Sequence, residues 1–204
     1  MDEESTAVNT DPAQHTPQEQ AIIEEYQAAV DEELVDYIEA VKASPGTRKR
    51  PFTLKNVSDR AAADIKKLTG VNVSGNKTHF ESRIVEHIWI RHGENGKADQ
   101  SMRDVNDIAR IQYVLDNYDN AEYGGKSKAY VTVDENGKNR LADTVTFSKK
   151  VNGTYYVVEA VPDTKSKTVF ITSARMAKNG QKTTQQSPNP VVQKPPRQKR
   201  SRRK

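Results

Sequence analysis

The chain has 204 residues, of which 34% are apolar and 29% charged, and its mean hydropathy is −0.89. This composition allows one compact domain but is too polar for every residue to share its core, so part of the chain should be solvated. The absence of cysteine excludes disulfides, thiolate catalysis and cysteine-ligated zinc or iron–sulfur sites. No apolar run is long enough to span a membrane and no secretory signal is visible, so we expect a cytoplasmic protein that does not contact membranes.

Charge is distributed unevenly along the chain. Residues 1–44 carry twelve acidic and one basic side chain, residues 45–174 have a net charge of +5, and residues 175–204 carry ten basic side chains and no acidic one. Such asymmetry indicates a nucleic-acid partner or a contact between the two ends of the chain. Charged tails that only keep a small domain soluble would show the same asymmetry.

The N-terminal part is expected to hold a disordered segment over residues 1–16 and one acidic amphipathic helix over residues 17–44. Apolar side chains recur at three- and four-residue steps from Ile22 to Val41. Residues 45–51 are predicted to be a basic linker, which makes this helix separate from the domain that follows. Because water disfavours an exposed apolar stripe, the helix should dock either on that domain, where its carboxylates would compete with nucleic acid, or on a second copy of the chain.

Residues 52–178 are predicted to form a mixed domain in which helices precede strands. Helices are expected over residues 59–68, 81–92 and 104–116, with Ser58 as the N-cap of the first and Gly70 just beyond its end. Alternating β-branched and aromatic residues predict strands over 129–133, 144–149, 154–161 and 168–174, with hairpin turns at Asn136-Gly137 and Asn152-Gly153. The predicted fold class is therefore α+β: N-terminal helices packed on a C-terminal antiparallel β-meander, with a separate acidic helix and a disordered basic tail.

Residues 179–204 have the composition of a disordered basic arm. Four prolines between positions 188 and 196 prevent a continuous helix or a central strand. Such an arm binds phosphates without reading sequence, whereas a localisation signal or a solubilising tail would contain the same residues. The predicted nucleic-acid contacts here are Arg197, Lys199, Arg200, Arg202 and Arg203.

The segment IVEHIWIRHGE, residues 84–94, contains the densest cluster of reactive groups. On a helix His87 and Arg91 are four residues apart and share a face, while His92 lies about 140° around the axis from His87. A neutral imidazole accepts a proton near pH 7 and returns it in a later step, and a guanidinium stabilises the charge of a phosphorane. These are the groups needed to cleave RNA through its 2′-hydroxyl without a metal.

Two other interpretations of this segment stay open. The histidines would also be accounted for if they cap helix carbonyls or pack beside Trp89. A zinc site would need a carboxylate such as Glu94 to complete it, because two histidines five residues apart do not share a helix face. We predict no metal and no cofactor.

Five motifs occur in a fixed order between residues 52 and 176. They are LTGVNVS at 68–74, EHI and RHG in the histidine helix at 86–93, SMRDV at 101–105, IARIQYVLDN at 108–117 and FITSA at 170–174. In this order they resemble the barnase/EndoU/colicin/RelE-like (BECR) nucleases of phages and polymorphic toxins. One departure is Asn117-Tyr118-Asp119, where Asn-Pro-Asp is expected, which alters a turn.

The resemblance implies a metal-independent ribonuclease whose helices pack on one face of a curved antiparallel sheet, with RNA bound across it. His87 and His92 become the acid and base candidates, Arg91 their cationic neighbour, and Thr172 or Ser173 a polar position in the cleft. The further nucleic-acid contacts it suggests are Lys149 and Arg175 for phosphate, and Tyr155 and Tyr156, of which one faces the sheet surface and stacks a base. Ordinary strand surfaces also contain such residues.

Taken together, the sequence predicts an endoribonuclease associated with a phage or mobile element and acting as a toxin. Its substrate would be tRNA or other cellular RNA, and its partner an immunity or antitoxin protein. Such a toxin would act in the cytoplasm or be delivered to the cytoplasm of a target cell. The alternative function is a non-catalytic nucleic-acid-binding protein or a phage structural accessory protein.

Overall fold

The structure, a computed structural model, describes residues 15–133 and 137–178. In chain order its elements are α1 Pro17–Ala28, α2 Glu32–Lys42, β1 Phe52–Asn56, α3 Asp59–Thr69, β2 Lys77–Phe80, α4 Ser82–His92, α5 Val105–Ala109, α6 Ile111–Asn117, β3 Asn120–Val133, β4 Asn139–Val151, β5 Thr154–Asp163 and β6 Thr168–Ala177. Within these ranges every helix is too short or too polar to cross a membrane. The α+β class, with helices before the main sheet, is as predicted.

The six strands form one mixed sheet in the order β1-β2-β6-β5-β4-β3. Strands β3 to β6 pair antiparallel with their sequence neighbours and form the predicted meander. Strands β1 and β2 were not predicted; they pair antiparallel with each other, and β2 pairs parallel with β6. The sheet is therefore not purely antiparallel as expected.

The two faces of the sheet have different surroundings. Phe147, Tyr156 and Val158 are each at most 1% exposed, and they face the helices. Directly paired residues of adjacent strands point to the same side, and successive residues point to opposite sides. The neighbours of these buried residues along β5, Tyr155 and Glu159 among them, therefore lie on the face opposite to the core.

Local capping signals place α3 and one hairpin as predicted. The Ser58 hydroxyl accepts a hydrogen bond from the backbone N–H of Ala61 at 3.3 Å, and Gly70 ends the helix with a φ of 77°. Asn152 and Gly153 have φ values of 48° and 74°, the positive values that a type I′ turn needs at both central positions. The turn predicted at Asn136-Gly137 lies partly outside the described residues.

Two predicted helices are each divided into two. The expected helix over residues 17–44 is interrupted after α1, because the Asp31 side chain accepts from the N–H of Leu34 at 3.0 Å and begins α2. The expected helix over 104–116 is interrupted at Arg110, where φ is −91° and ψ is 7°. The prediction of continuous helices here was wrong.

The acidic helices α1 and α2 are part of the domain core. Five of their apolar side chains are at most 3% exposed and belong to the same hydrophobic cluster as the sheet: Ile23, Tyr26, Leu34, Ile38 and Val41. The Tyr26 ring makes edge contacts with Tyr113 and Tyr156, with centroid separations of 5.9 and 6.2 Å. The prediction of a separate acidic helix is therefore wrong: α1 packs on β4, and α2 packs on α4 and α5. Residues 1–14 and the predicted arm, 179–204, lie outside the described residues.

Candidate active site

Helix α4 packs against β6. Strand β2 pairs with β6 from Lys77 to His79 and then ends, and α4 follows it along the chain and contacts β6. Its buried side chains, Ser82, Ile84, Val85, Ile88 and His92, face the core. His87 and Arg91 are exposed on the opposite side of the helix, on the shared face that their spacing predicted.

The loop after α4 folds back over the end of the helix. Its backbone N–H groups bond the last helix carbonyls, which would otherwise have no partner. Gly93 is required by space, since a Cβ there would lie 2.5 Å from the carbonyl oxygen of Trp89. The loop bonds run from Lys97 N–H to Ile90 O at 3.0 Å, from Ala98 and Asp99 N–H to Arg91 O at 2.9 and 3.1 Å, and from Met102 N–H to His92 O at 2.7 Å.

This loop brings a carboxylate to His92. The His92 ring is 7% exposed, and its Nδ1 lies 2.9 Å from Oδ2 of Asp99. Burial disfavours the charged form of Asp99, but hydrogen bonds from Ser101 and from His92 outweigh it and lower the pKa of this carboxyl. Ser101 Oγ also accepts from the backbone N–H of Met176 in β6, at 3.2 Å, which attaches the loop to the sheet. His92 is thus a fixed, buried ring.

Three polar side chains of β5 and β6 lie on the face opposite to the core. Glu159 is paired in register with Ser173, and its Oε1 lies 3.1 Å from Nη1 of Arg175. The register shifts between Glu159 and Ala160, which leaves Thr172 as the extra residue of a bulge. The Thr172 hydroxyl donates to the carbonyl oxygen of Glu159 at 3.2 Å. Ser173 and Arg175 therefore point to the same side as Glu159, and Thr172 is used to hold the bulge.

Charges from both the helix and the sheet act on the His87 ring. Partial burial lowers the pKa of His87 below its ordinary value, and the charges of Arg91 and His92 lower it further. The Glu159 carboxylate acts in the opposite direction and favours the protonated ring. We call His87, Arg91, Glu159, Ser173 and Arg175 the reaction site. It combines an imidazole, a carboxylate, a hydroxyl and two guanidinium groups.

Some predicted contacts lie elsewhere. Tyr156 is 1% exposed and its hydroxyl donates to the backbone oxygen of Asp107, so the prediction that it contacts nucleic acid was wrong. Lys149 is paired in register with Tyr156, on the same side, and its Nζ lies 2.8 Å from Oδ1 of Asp119. Tyr155 lies on the face of Glu159 and is partly exposed. The basic residues predicted as contacts in the tail, Arg197, Lys199, Arg200, Arg202 and Arg203, lie outside the described residues.

Sequence reasoning missed Asp99 and Glu159. Glu159 had a signal, because it is the one charged residue in the apolar run from Tyr155 to Val161 of a predicted strand. Asp99 had none, since its approach to His92 depends on the fold of the loop. Over residues 15–133 and 137–178, no three side chains of the types His, Cys, Asp and Glu are grouped so that they could hold a metal ion.

An imidazole, a carboxylate and guanidinium groups are typical of enzymes that cleave phosphodiesters by proton transfer and charge stabilisation. The model of the family described as phage-Barnase-EndoU-ColicinE5/D-RelE like nuclease3 matches residues 55–184 of this chain. The chain belongs to this nuclease family, which confirms the resemblance seen in the sequence. No curated protein and no solved structure matches the chain. The matched range contains α4, β5 and β6, and therefore the whole reaction site.

Proposed function

We propose that the protein is an endoribonuclease that cleaves RNA by transphosphorylation at the reaction site. Three observations carry the proposal: the charge of Glu159 on the sheet acts on the His87 ring of α4, the charge of Arg91 acts on the same ring, and Arg175 is ion-paired with Glu159 at 3.1 Å. Both proton-transfer groups reach solvent, whereas His92 is buried and held by Asp99. His87 and Glu159 are therefore the groups that a bound phosphodiester would meet.

In the proposed reaction Glu159 accepts the proton of the 2′-hydroxyl, and the 2′-oxygen attacks phosphorus. The bond from phosphorus to the 5′-oxygen breaks, and protonated His87 donates its proton to that oxygen. One proton is taken and one is given, and the products are a 2′,3′-cyclic phosphate and a 5′-hydroxyl. Two groups are needed because the attacking and leaving oxygens lie on opposite sides of phosphorus in an in-line displacement.

The ionic surroundings suit these roles. Arg175 Nη1 lies 3.1 Å from Glu159 Oε1, and this ion pair holds the carboxylate in place. Burial and Arg91 lower the pKa of His87, so its protonated ring gives up its proton more readily. The two arginines also supply positive charge for the phosphorane oxygens.

His92 and Asp99 are positioning residues in this proposal. Their hydrogen bond joins the last residue of α4 to the loop, and Ser101 joins that loop to β6. The pair therefore fixes the end of the helix that carries His87 and Arg91 relative to the strand that carries Arg175.

The proposed substrate is tRNA or another cellular RNA, and the proposed setting is a phage or mobile element in which the enzyme acts as a toxin. The word phage in the description of the family supports the phage part of this setting. An immunity or antitoxin protein with acidic residues would fit the two guanidinium groups of the reaction site.

A cleavage assay with labelled tRNA and total RNA tests the proposed function. We expect His87→Ala and Glu159→Gln each to lower the rate by about 10²–10⁴. The matched controls are His15→Ala, outside the matched range, and Glu39→Gln, an exposed residue of α2, both with the wild-type rate. RNA that is bound without being cleaved by the wild type would refute the proposal and favour a non-catalytic binding protein.

A further inference from the structure

A cluster of three aromatic rings lies on the sheet outside the reaction site. His79 comes from β2, Tyr130 from β3 and Phe170 from β6. The rings of Tyr130 and Phe170 are stacked, with centroids 5.5 Å apart and an interplanar angle of 28°, and His79 meets Phe170 edge-on at 6.1 Å. All three side chains are partly exposed. We call these residues the aromatic cluster.

The register of the sheet places this cluster on the same face as the reaction site. Phe170 is paired with both His79 and Val161, and Glu159 lies two positions before Val161 on β5. Two positions along a strand span about 7 Å. On β6, the buried Val169, Ile171 and Ala174 point to the core, so Phe170 and Ser173 point to the other face. The cluster and Glu159 are thus separated by a distance that one nucleotide bridges.

The surroundings of the aromatic cluster are basic and fix its rings. Glu81 Oε2 accepts from the Tyr130 hydroxyl at 2.6 Å and from Arg83 Nε at 2.7 Å, and the Arg83 guanidinium lies 4.6 Å from the centre of the Tyr130 ring. Partial burial lowers the pKa of His79, and the charges of Lys77 and Arg50 lower it further, although Glu81 opposes them. The cluster therefore offers rigid aromatic rings among positive charges.

From this arrangement we propose that the aromatic cluster is a nucleobase-binding subsite, which holds one unstacked base of the RNA whose backbone lies at the reaction site. Partly exposed rings with neighbouring cations are the surfaces on which single-stranded bases stack. A base placed there contacts the exposed parts of the Tyr130, Phe170 and His79 rings, and it leaves the adjoining phosphate near Glu159 and Arg175. The inference rests on the proposed function, since it takes RNA as the substrate of the reaction site and adds that this RNA is single-stranded at this position.

The test uses the full chain with His87→Ala, so that bound RNA is not consumed, and RNA oligonucleotides with 2-aminopurine at successive positions. Stacking quenches 2-aminopurine fluorescence, so one position should be quenched on binding. Adding Phe170→Leu or His79→Ala should abolish this quenching and weaken binding about five- to a hundredfold. Phe170→Tyr should retain both. Tyr123→Leu, at an exposed aromatic residue of β3, is the matched control and should change neither.

An oligonucleotide with an abasic residue at the quenched position separates stacking from folding. With it, the Phe170→Leu protein should bind as well as the protein with Phe170, because no base remains to stack. Two results would overturn the subsite. One is equal quenching and affinity in the proteins with Phe170 and with Phe170→Leu; the other is a loss of affinity in Phe170→Leu that persists with the abasic oligonucleotide. If the wild type cleaves no RNA but this quenching pattern is found, the proposed function fails and the subsite stands.

Discussion

Replacing Leu34 by alanine tests whether the acidic helices belong to the core of the nuclease domain. Leu34 is fully buried in α2, within the hydrophobic cluster that also contains the sheet. Truncating a buried leucine costs about 2–5 kcal/mol, since transfer free energy is lost and a cavity forms. A small domain is stable by about 5–15 kcal/mol, so this is a large fraction of the total. With a urea m value of about 2 kcal/mol/M, the unfolding midpoint should fall by about 1–2.5 M.

Urea unfolding of the full chain, followed by far-UV circular dichroism, measures this change. One transition is expected, because one core should unfold cooperatively. Leu141→Ala is the matched control: Leu141 is 48% exposed on β4, and its loss should change the free energy of unfolding by no more than about 0.5 kcal/mol. Two separate transitions, or a Leu34→Ala midpoint equal to that of Leu141→Ala, would refute the assignment of α1 and α2 to the core.

Three further predictions concern pH and the C-terminal arm. Burial, Arg91 and His92 lower the pKa of His87, so kcat/KM should begin to fall with rising pH below the ordinary imidazole value of 6.5. Arg91→Met should move that fall to higher pH. A wild-type fall above 6.5 would contradict the role of His87 as the proton donor. The lowered pKa of Asp99 stabilises the fold above the unfolded value of about 3.9, and this stability is lost as pH falls through the folded pKa. The stability difference between wild type and Asp99→Asn should therefore shrink in acid, and a difference independent of pH would refute the ionised pair. Removing residues 181–204 should weaken RNA binding and reduce its salt dependence without unfolding the domain, whereas an unchanged salt slope would show that the arm makes no phosphate contacts.

Local signals in the sequence were enough to predict most elements. Ser58 and Gly70 mark the ends of α3, and Asn152-Gly153 fixes a hairpin through its own backbone preferences. The break at Asp31 was not predictable from periodicity, because suitably spaced apolar residues continue on both sides of it. Whether an aspartate caps a new helix or lies within a longer one is decided by the surface on which both halves pack. Strands β1 and β2 are short and were missed for lack of a clear alternating pattern.

The candidate site was predictable only where it depends on one element. The shared face of His87 and Arg91 follows from helix geometry alone. Alternation predicts that Tyr155 and Tyr156 face opposite sides, but the choice of the core side depends on α1, whose Tyr26 contacts Tyr156. The approach of Glu159 to His87 requires β5, β6 and α4 to be neighbours, and these segments are far apart in the chain. No single-segment pattern contains that information.

The nature of the product ends tests the central claim most directly. A labelled RNA oligonucleotide is incubated with the wild-type protein in EDTA, and the ends at the cut are identified. A second oligonucleotide, which lacks the 2′-hydroxyl at the cut position, is treated in the same way. Transphosphorylation by His87 and Glu159 predicts cleavage in EDTA, 2′,3′-cyclic phosphate and 5′-hydroxyl ends, and no cleavage of the 2′-deoxy substrate. Cleavage of the 2′-deoxy substrate, or activity that EDTA abolishes and zinc restores, would contradict the proposed mechanism.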